Sequence, residues 1–225
     1  MKIIDAHSHI DYITHDVQTG VVGTICCATN ESQWKNLIDL WTKDKNIYSA
    51  FGIHPWFINT IQNGFEKRLY ELLKLNEKFM VGEIGVDKYK PDMESQIDVF
   101  VKQLNVAVEL NRTVFLHCVG AWDKILHILK QYKKTPTIVA HDFNGGPEIL
   151  NTLIKNYDFM FSIHRADKPT EIQRIEEIPV DKILVESDAK SDVVLSDVVD
   201  KISIIKEQAN ISDIIYENTQ RIISK

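Results

Sequence analysis

A chain of 225 residues, 44% hydrophobic, with net charge −6 and three cysteines (Cys26, Cys27, Cys118) can bury the core of one large domain. The acidic balance gives no bulk attraction to nucleic acid or membrane, and no apolar run is long enough to span a bilayer. An odd, sparse cysteine set without CxxC spacing excludes a disulfide framework; with no leader pattern before the first strand, it leads us to expect a cytoplasmic protein.

Residues 2–6 are an apolar run leading into two histidines two positions apart, His7 and His9. Side chains alternate along a strand, so both imidazoles are expected to face one way, which is half of a metal site. Asp5 and Asp11 share that parity and are placed to orient or supplement them. Further short runs rich in Val, Ile and Phe follow at 21–27, 47–53, 79–84, 113–116, 137–140, 159–163 and 183–185, as expected of buried parallel strands. Segments with helical spacing lie between and after them at 31–42, 65–75, 93–110, 122–132, 147–155, 171–177, 197–207 and 212–223, the last with Ser212 as its N-cap. Strand alternating with helix eight times implies parallel pairing through crossovers. The expected architecture is a TIM-type (β/α)8 barrel occupying residues 1–225 as a single domain. One or two units are expected to be short or irregular, the second and third above all, where little helix follows Ile53.

Active sites of such barrels form at the C-terminal ends of the strands, and that is where the unusual residues fall. Six of the eight histidines (His7, His9, His54, His117, His141 and His164) sit at strand ends, leaving only His15 and His127 elsewhere. Strand four carries Gly82-Glu83-Ile84-Gly85, and strand eight ends in Glu186-Ser187-Asp188. Four histidines (His7, His9, His117, His141) and two carboxylates (Glu83, Asp188) suffice for two divalent cations, one carboxylate bridging them with its two oxygens. The flanking glycines allow tight packing around Glu83. Imidazole and carboxylate ligation without thiolate suits Zn, Mn, Fe or Co, and Mg less well.

The ordered set D-A-H-S-H, G-I-H-P-W, G-E-I-G-V-D, Gln96, H-C, H-D-F-N-G and E-S-D-A resembles TatD-type metal-dependent hydrolases of the amidohydrolase superfamily. The resemblance covers nearly the whole chain. It implies that His7, His9, Glu83 and Asp188 hold one metal and that Glu83, His117 and His141 hold the other. It further implies that Glu83 bridges and that Asp188 orients the attacking water and takes its proton, which makes Asp188 and Glu83 the catalytic pair. The chain departs from the family pattern in its substrate-facing residues. His-Ser-Arg at strand five becomes His117-Cys118-Val119, and E-T-D-A-P-Y becomes Glu186-Ser187-Asp188-Ala189-Lys190-Ser191. The arginine expected near a substrate phosphate is therefore missing, and Arg165, beside His164, is the expected substitute. With the metal shell filled, His54, His164 and Arg165 are expected to bind substrate. Trp56 and Trp122, in loops after strand ends, are candidates to line the pocket, and Lys88 and Lys90 could attract an anion.

The function expected is a two-metal phosphodiesterase or deoxyribonuclease-like hydrolase. Its expected partner is a small anionic substrate or a nucleic-acid end, ahead of duplex DNA, since a long nucleic acid needs a track of cations. No membrane and no obligate protein partner are expected. A PHP-type phosphoesterase also begins D-x-H-x-H, but Ala189-Lys190 after the final aspartate disfavours it. A non-enzymatic metal-binding barrel is disfavoured by the complete ligand set.

Overall fold

The computed structural model describes residues 1–224, and its strands and helices alternate as the periodicity requires. The first five units are β1 (Ile3–His9) with α1 (Thr14–Val17), β2 (Val21–Cys27) with α2 (Trp34–Lys43), β3 (Ile47–Phe51) with α3 (Phe65–Lys74), β4 (Met80–Asp87) with α4 (Met93–Leu110), and β5 (Val114–Val119) with α5 (Trp122–Leu129). The last three are β6 (Ile138–Ala140) with α6 (Pro147–Asn156), β7 (Phe159–Ile163) with α7 (Pro169–Glu177), and β8 (Ile183–Val185) with α8 (Leu195–Lys206) and α9 (Ile211–Ile223). Seven parallel ladders join the strands in chain order from β1 to β8. The fold is the expected (β/α)8 barrel. Its reduced unit is the first, where α1 is a single turn. The second and third units keep ten-residue helices, each entered through a 3-10 turn (Glu31–Gln33 and Pro55–Thr60). Ser212 lies inside α9, whose N-cap is Asn210. Among the described residues no helix is long and apolar enough to cross a membrane.

Every strand contributes to the barrel's interior, through Ile4, Ile25, Ala50, Met80, Phe115, Val139, Met160 and Leu184, all buried. Such inward layers make the barrel a packed core rather than a pore. Ile222 and Ile223 at the end of α9 join the same cluster. The Asn218 amide donates to the carbonyls of Val180 and Ile183, both at 2.9 Å, fastening α9 to the start of β8. Outside the strands a second, larger cluster packs the barrel against its helices.

The seam between β8 and β1 is built differently, since among the described residues no ladder joins the two strands. A buried carboxylate does so. Asp5 accepts from the Ser187 amide (2.9 Å), the Ser187 hydroxyl (2.6 Å), the His7 amide (3.1 Å) and the Thr14 hydroxyl. The Asp188 amide adds a bond to the His7 carbonyl (3.0 Å). Burial pushes the Asp5 carboxyl up to about 6, against the pull of these bonds. The register of β1 shifts between Asp5 and Ser8. This bulge breaks the parity expected of Asp5 and His7 and sends the Asp5 side chain to the seam instead of to the imidazoles. Asp11 is exposed beyond the strand.

Asp5→Ala would leave four buried donors without their acceptor. It is expected to destabilise the protein by about 3–5 kcal/mol and lower Tm by roughly 6–20 °C for a domain of this size. Asp5→Asn, which keeps the shape and one acceptor oxygen, should fall in between. Thermal unfolding followed by circular dichroism checks the order; a wild-type Tm for Asp5→Ala would mean that the seam is held by something else.

Candidate metal centre

The six residues expected as ligands converge at the C-terminal mouth of the barrel. His7 Nε2 lies 3.4 Å from Glu83 Oε2 and 3.8 Å from Asp188 Oδ1. His9 Nε2 lies 3.6 Å from each of the same two atoms. His141 Nε2 lies 3.7 Å from both Glu83 Oε1 and Asp188 Oδ1. His117 Nδ1 lies 2.9 Å from Glu83 Oε1. Glu83, 2% exposed, thus turns one oxygen to His7 and His9 and the other to His117 and His141.

The backbone explains the crowding. The register of β4 shifts between Val81 and Ile84, turning Glu83 inward beside Met80. At Gly82 a Cβ would lie 2.6 Å from Phe115 Cβ, and at Gly85 it would lie 1.8 Å from the His117 carbonyl oxygen. Only glycine lets β4 approach β5 closely enough for Glu83 and His117 to meet.

The ring tautomers are set from behind. His141 Nδ1–H donates to Glu186 Oε1 (2.9 Å) and His9 Nδ1–H to the Cys27 carbonyl (3.0 Å), which turns each Nε2 towards the centre. Glu186, fully buried, is itself held by the Asp142 amide (3.0 Å) and the Ser162 hydroxyl. His54 is oriented the other way. Its Nδ1 accepts from the Trp56 amide (3.1 Å), so a neutral ring carries its hydrogen on Nε2, 3.4 Å from Glu83 Oε1. Although His54, Glu83 and His117 lie close enough together to share an ion, this tautomer makes His54 a donor to Glu83 rather than a ligand. Both His7 ring nitrogens and His117 Nε2 are buried without a hydrogen-bond partner. Unpaired buried nitrogens are costly; together with the facing carboxylates they fit a divalent cation of the imidazole- and carboxylate-preferring kind.

Charge is balanced inside the polypeptide itself. Burial would raise the Glu83 carboxyl, but His54, His7 and His141 outweigh it and hold it well below the usual carboxylate range. Burial would lower His141, but Glu186, Glu83 and Asp188 hold it well above the usual imidazole range. His7 is lowered by burial, with His141 adding to the effect. Burial opposes the ionisation of Asp188, but the hydrogen bond from His9 and the charge of His141 keep its carboxyl below its ordinary value.

The residues expected to bind substrate divide. His164 Nδ1 stands 3.3 Å from Asp142 Oδ1, at the edge of the centre. Arg165, 42% exposed in its side chain, is engaged by Asp192 at 3.0 Å, and both line a cleft of about 320 Å³ beside His164. The cation that reaches the centre is Lys190, whose Nζ lies 2.5 Å from Asp188 Oδ2. Two consecutive left-handed residues, Asp188 (φ 52°) and Ala189 (φ 54°), reverse the chain so that Lys190 returns to its neighbour's carboxylate. Sequence reasoning missed Lys190 and Glu186 in these roles. Their signals were the lysine where the family has proline, and a glutamate sharing the parity of Asp188.

Glu186→Gln keeps the side chain's shape but removes the charge behind His141. It is expected to weaken metal affinity about 10- to 100-fold, measured by competition with a chelator; unchanged affinity would remove Glu186 from the centre.

Residues 4–224 match the family described as TatD related DNase. The chain is similar to the 3'-5' ssDNA/RNA exonuclease TatD of Escherichia coli K12, with 27% identity over 80% of this chain and 72% of that protein. Its fold is similar to that of a TatD homologue from Escherichia coli K12 (TM-score 0.87, 20% identity, 99% of this chain and 98% of that one). It is also similar to that of a TatD family hydrolase from Entamoeba histolytica (TM-score 0.84, 17% identity, 99% and 98%). The chain belongs to the family of TatD related DNases and is a metal-dependent hydrolase acting on ester bonds.

Proposed function

We propose that this protein hydrolyses the terminal phosphodiester of a single-stranded nucleic acid or short oligonucleotide, using two divalent cations held by His7, His9, Glu83, His117, His141 and Asp188. The observation that carries the reading is the convergence of the Nε2 atoms of His7, His9 and His141 on Glu83 and Asp188, at 3.4–3.8 Å. The curated relative's name, a 3'-5' ssDNA/RNA exonuclease, supports the substrate class. Three free, buried thiols suit work in the reducing cytoplasm.

Paired divalent cations, when bound, supply Lewis-acid stabilisation of the charge that builds on the attacked phosphoryl group. The polypeptide does the rest. Glu83 presents an oxygen to each half of the centre, and His54 donates to one of them, fixing its direction. Asp188 directs Oδ1 towards the imidazoles, orients the attacking water and accepts its proton. The Lys190 ammonium on Oδ2 holds that carboxylate in place and offers its remaining hydrogens to a non-bridging phosphate oxygen. This is the service expected of the missing strand-five arginine. Arg165 and His164, on the flanking cleft, receive the chain beyond the scissile bond.

Glu83→Gln is expected to lose metal and to lower kcat/KM by more than about 100-fold. His54→Ala should keep both ions and lose less. Metal analysis alongside turnover of a short single-stranded oligonucleotide separates the two; a fully active Glu83→Gln protein with two ions bound would remove the bridge.

A charged hydrogen bond to substrate lost in Lys190→Ala should raise KM roughly 10- to 100-fold, with Lys190→Arg recovering part of it. Arg165→Ala should cost less, because its charge is already shared with Asp192. Steady-state kinetics decides this, and a larger KM effect for Arg165→Ala would return the anchoring role to strand seven.

A further inference from the structure

We propose that Trp56 is a stacking platform for the base at the end of a bound single strand, with Lys90 neutralising the phosphate beside it. This rests on the nuclease reading above and names what holds the base.

Trp56 stands apart from the other tryptophans. Trp34 and Trp122 are each 7% exposed, with indole N–H groups on the Gly52 carbonyl and Asn144. Trp41 packs on Phe79. Trp56 is 53% exposed, so its indole stands half in solvent beside the centre, where a planar group can reach it. Its ring centroid lies 5.3 Å from that of His54 and 6.4 Å from that of His117, edge to face with both. A base attached through one sugar to a phosphate at the centre can reach this ring.

The exposed ring is rigidly held. Its N–H donates to Asp87 Oδ2 at 2.7 Å, and Asp87, only 4% exposed, uses its other oxygen to accept from the Tyr89 amide (2.9 Å). The buried Gln96 amide then ties down the same rim by donating to the carbonyls of Asp87, Lys90 and Pro91. Lys90 Nζ comes to rest 4.0 Å above the indole, and among the described residues no carboxylate pairs with it. A plate fixed in advance loses little entropy when a ligand stacks on it. Base–aromatic stacking tolerates any base, since each has a π-face, and a lysine next to the plate supplies the backbone contact. An indole that merely capped Asp87 would need neither the exposure nor an ammonium above it.

The test uses two exonuclease-resistant phosphorothioate oligonucleotides, identical except that one ends in a base and the other in an abasic sugar. Equilibrium binding to the metal-loaded protein is measured by calorimetry and by quenching of tryptophan fluorescence. Wild type should prefer the base-ended strand roughly 5- to 100-fold and quench on binding it. In Trp56→Ala the preference should collapse to about one. Trp56→Phe, which keeps a ring but not the bond to Asp87, should retain most of the preference while losing the quench. Lys90→Ala should weaken both strands and flatten the salt dependence of binding. Binding of both strands by wild type without preference, or equal loss in Trp56→Phe and Trp56→Ala, would overturn the platform and leave the nuclease reading standing. Failure of wild type to bind either strand would overturn both.

Discussion

One buried carboxylate fastens the seam at which this barrel closes. Seven ladders hold the strands together, and at the eighth position Asp5 takes their place, gathering the amide and hydroxyl of Ser187, the Thr14 hydroxyl and the His7 amide into one bonded knot. Directly above it lie His7 on one side of the seam and Asp188 on the other, joined through their own backbones. The knot therefore sets the spacing of two candidate ligands, His7 and Asp188, that lie far apart along the chain. A ladder would have fixed the strands in register but left less room for the bulge that turns His7 inward.

Above the seam the structure gathers charge that an apolar core would reject. Glu83 and Glu186 are almost wholly buried, and isolated carboxylates there would be strongly unfavourable. They are tolerated because imidazoles face them at close range and because hydrogen bonds fill the lone pairs that face away from the centre. The apolar layers of strands and helices supply the stability that such a cluster uses up.

The alternation of apolar runs with helical stripes carried the architecture, because burial and periodicity are local properties of the chain. α4 spans the residues its pattern indicates, and the six candidate ligands could be singled out because each lies within, or one to three residues after, an apolar run. What escaped was non-periodic or long-range. The bulges in β1 and β4 shift parity within the very strands that carry His7 and Glu83, so strict alternation misassigned Asp5. The single turn of α1 is too short to show a stripe. Glu186 behind His141 is a contact across 45 positions, and Lys190 folds back through two consecutive left-handed residues, the second an alanine, which rarely adopts that conformation. Trp56 and Trp122 look alike as loop residues; the burial of Trp122, with its N–H on Asn144, and the exposure of Trp56 emerge only in three dimensions.

The knot at the seam also bears on how the molecule is made. Asp5 and Ser187 are 182 positions apart, and a chain is synthesised from its N-terminus. β1 emerges before the other strands with one edge open, and His7 and His9 are in place while the residues that face them are still being made. Only when residues 183–188 have emerged can that edge be covered and Asp188 join the imidazoles, with α9 closing the base of the barrel after it. A truncated product would keep most of the strands and most of the histidines, yet lack the carboxylate that finishes the centre. Assembly of the candidate centre therefore waits for the last strand of the barrel, so that the site and the closed sheet arrive together.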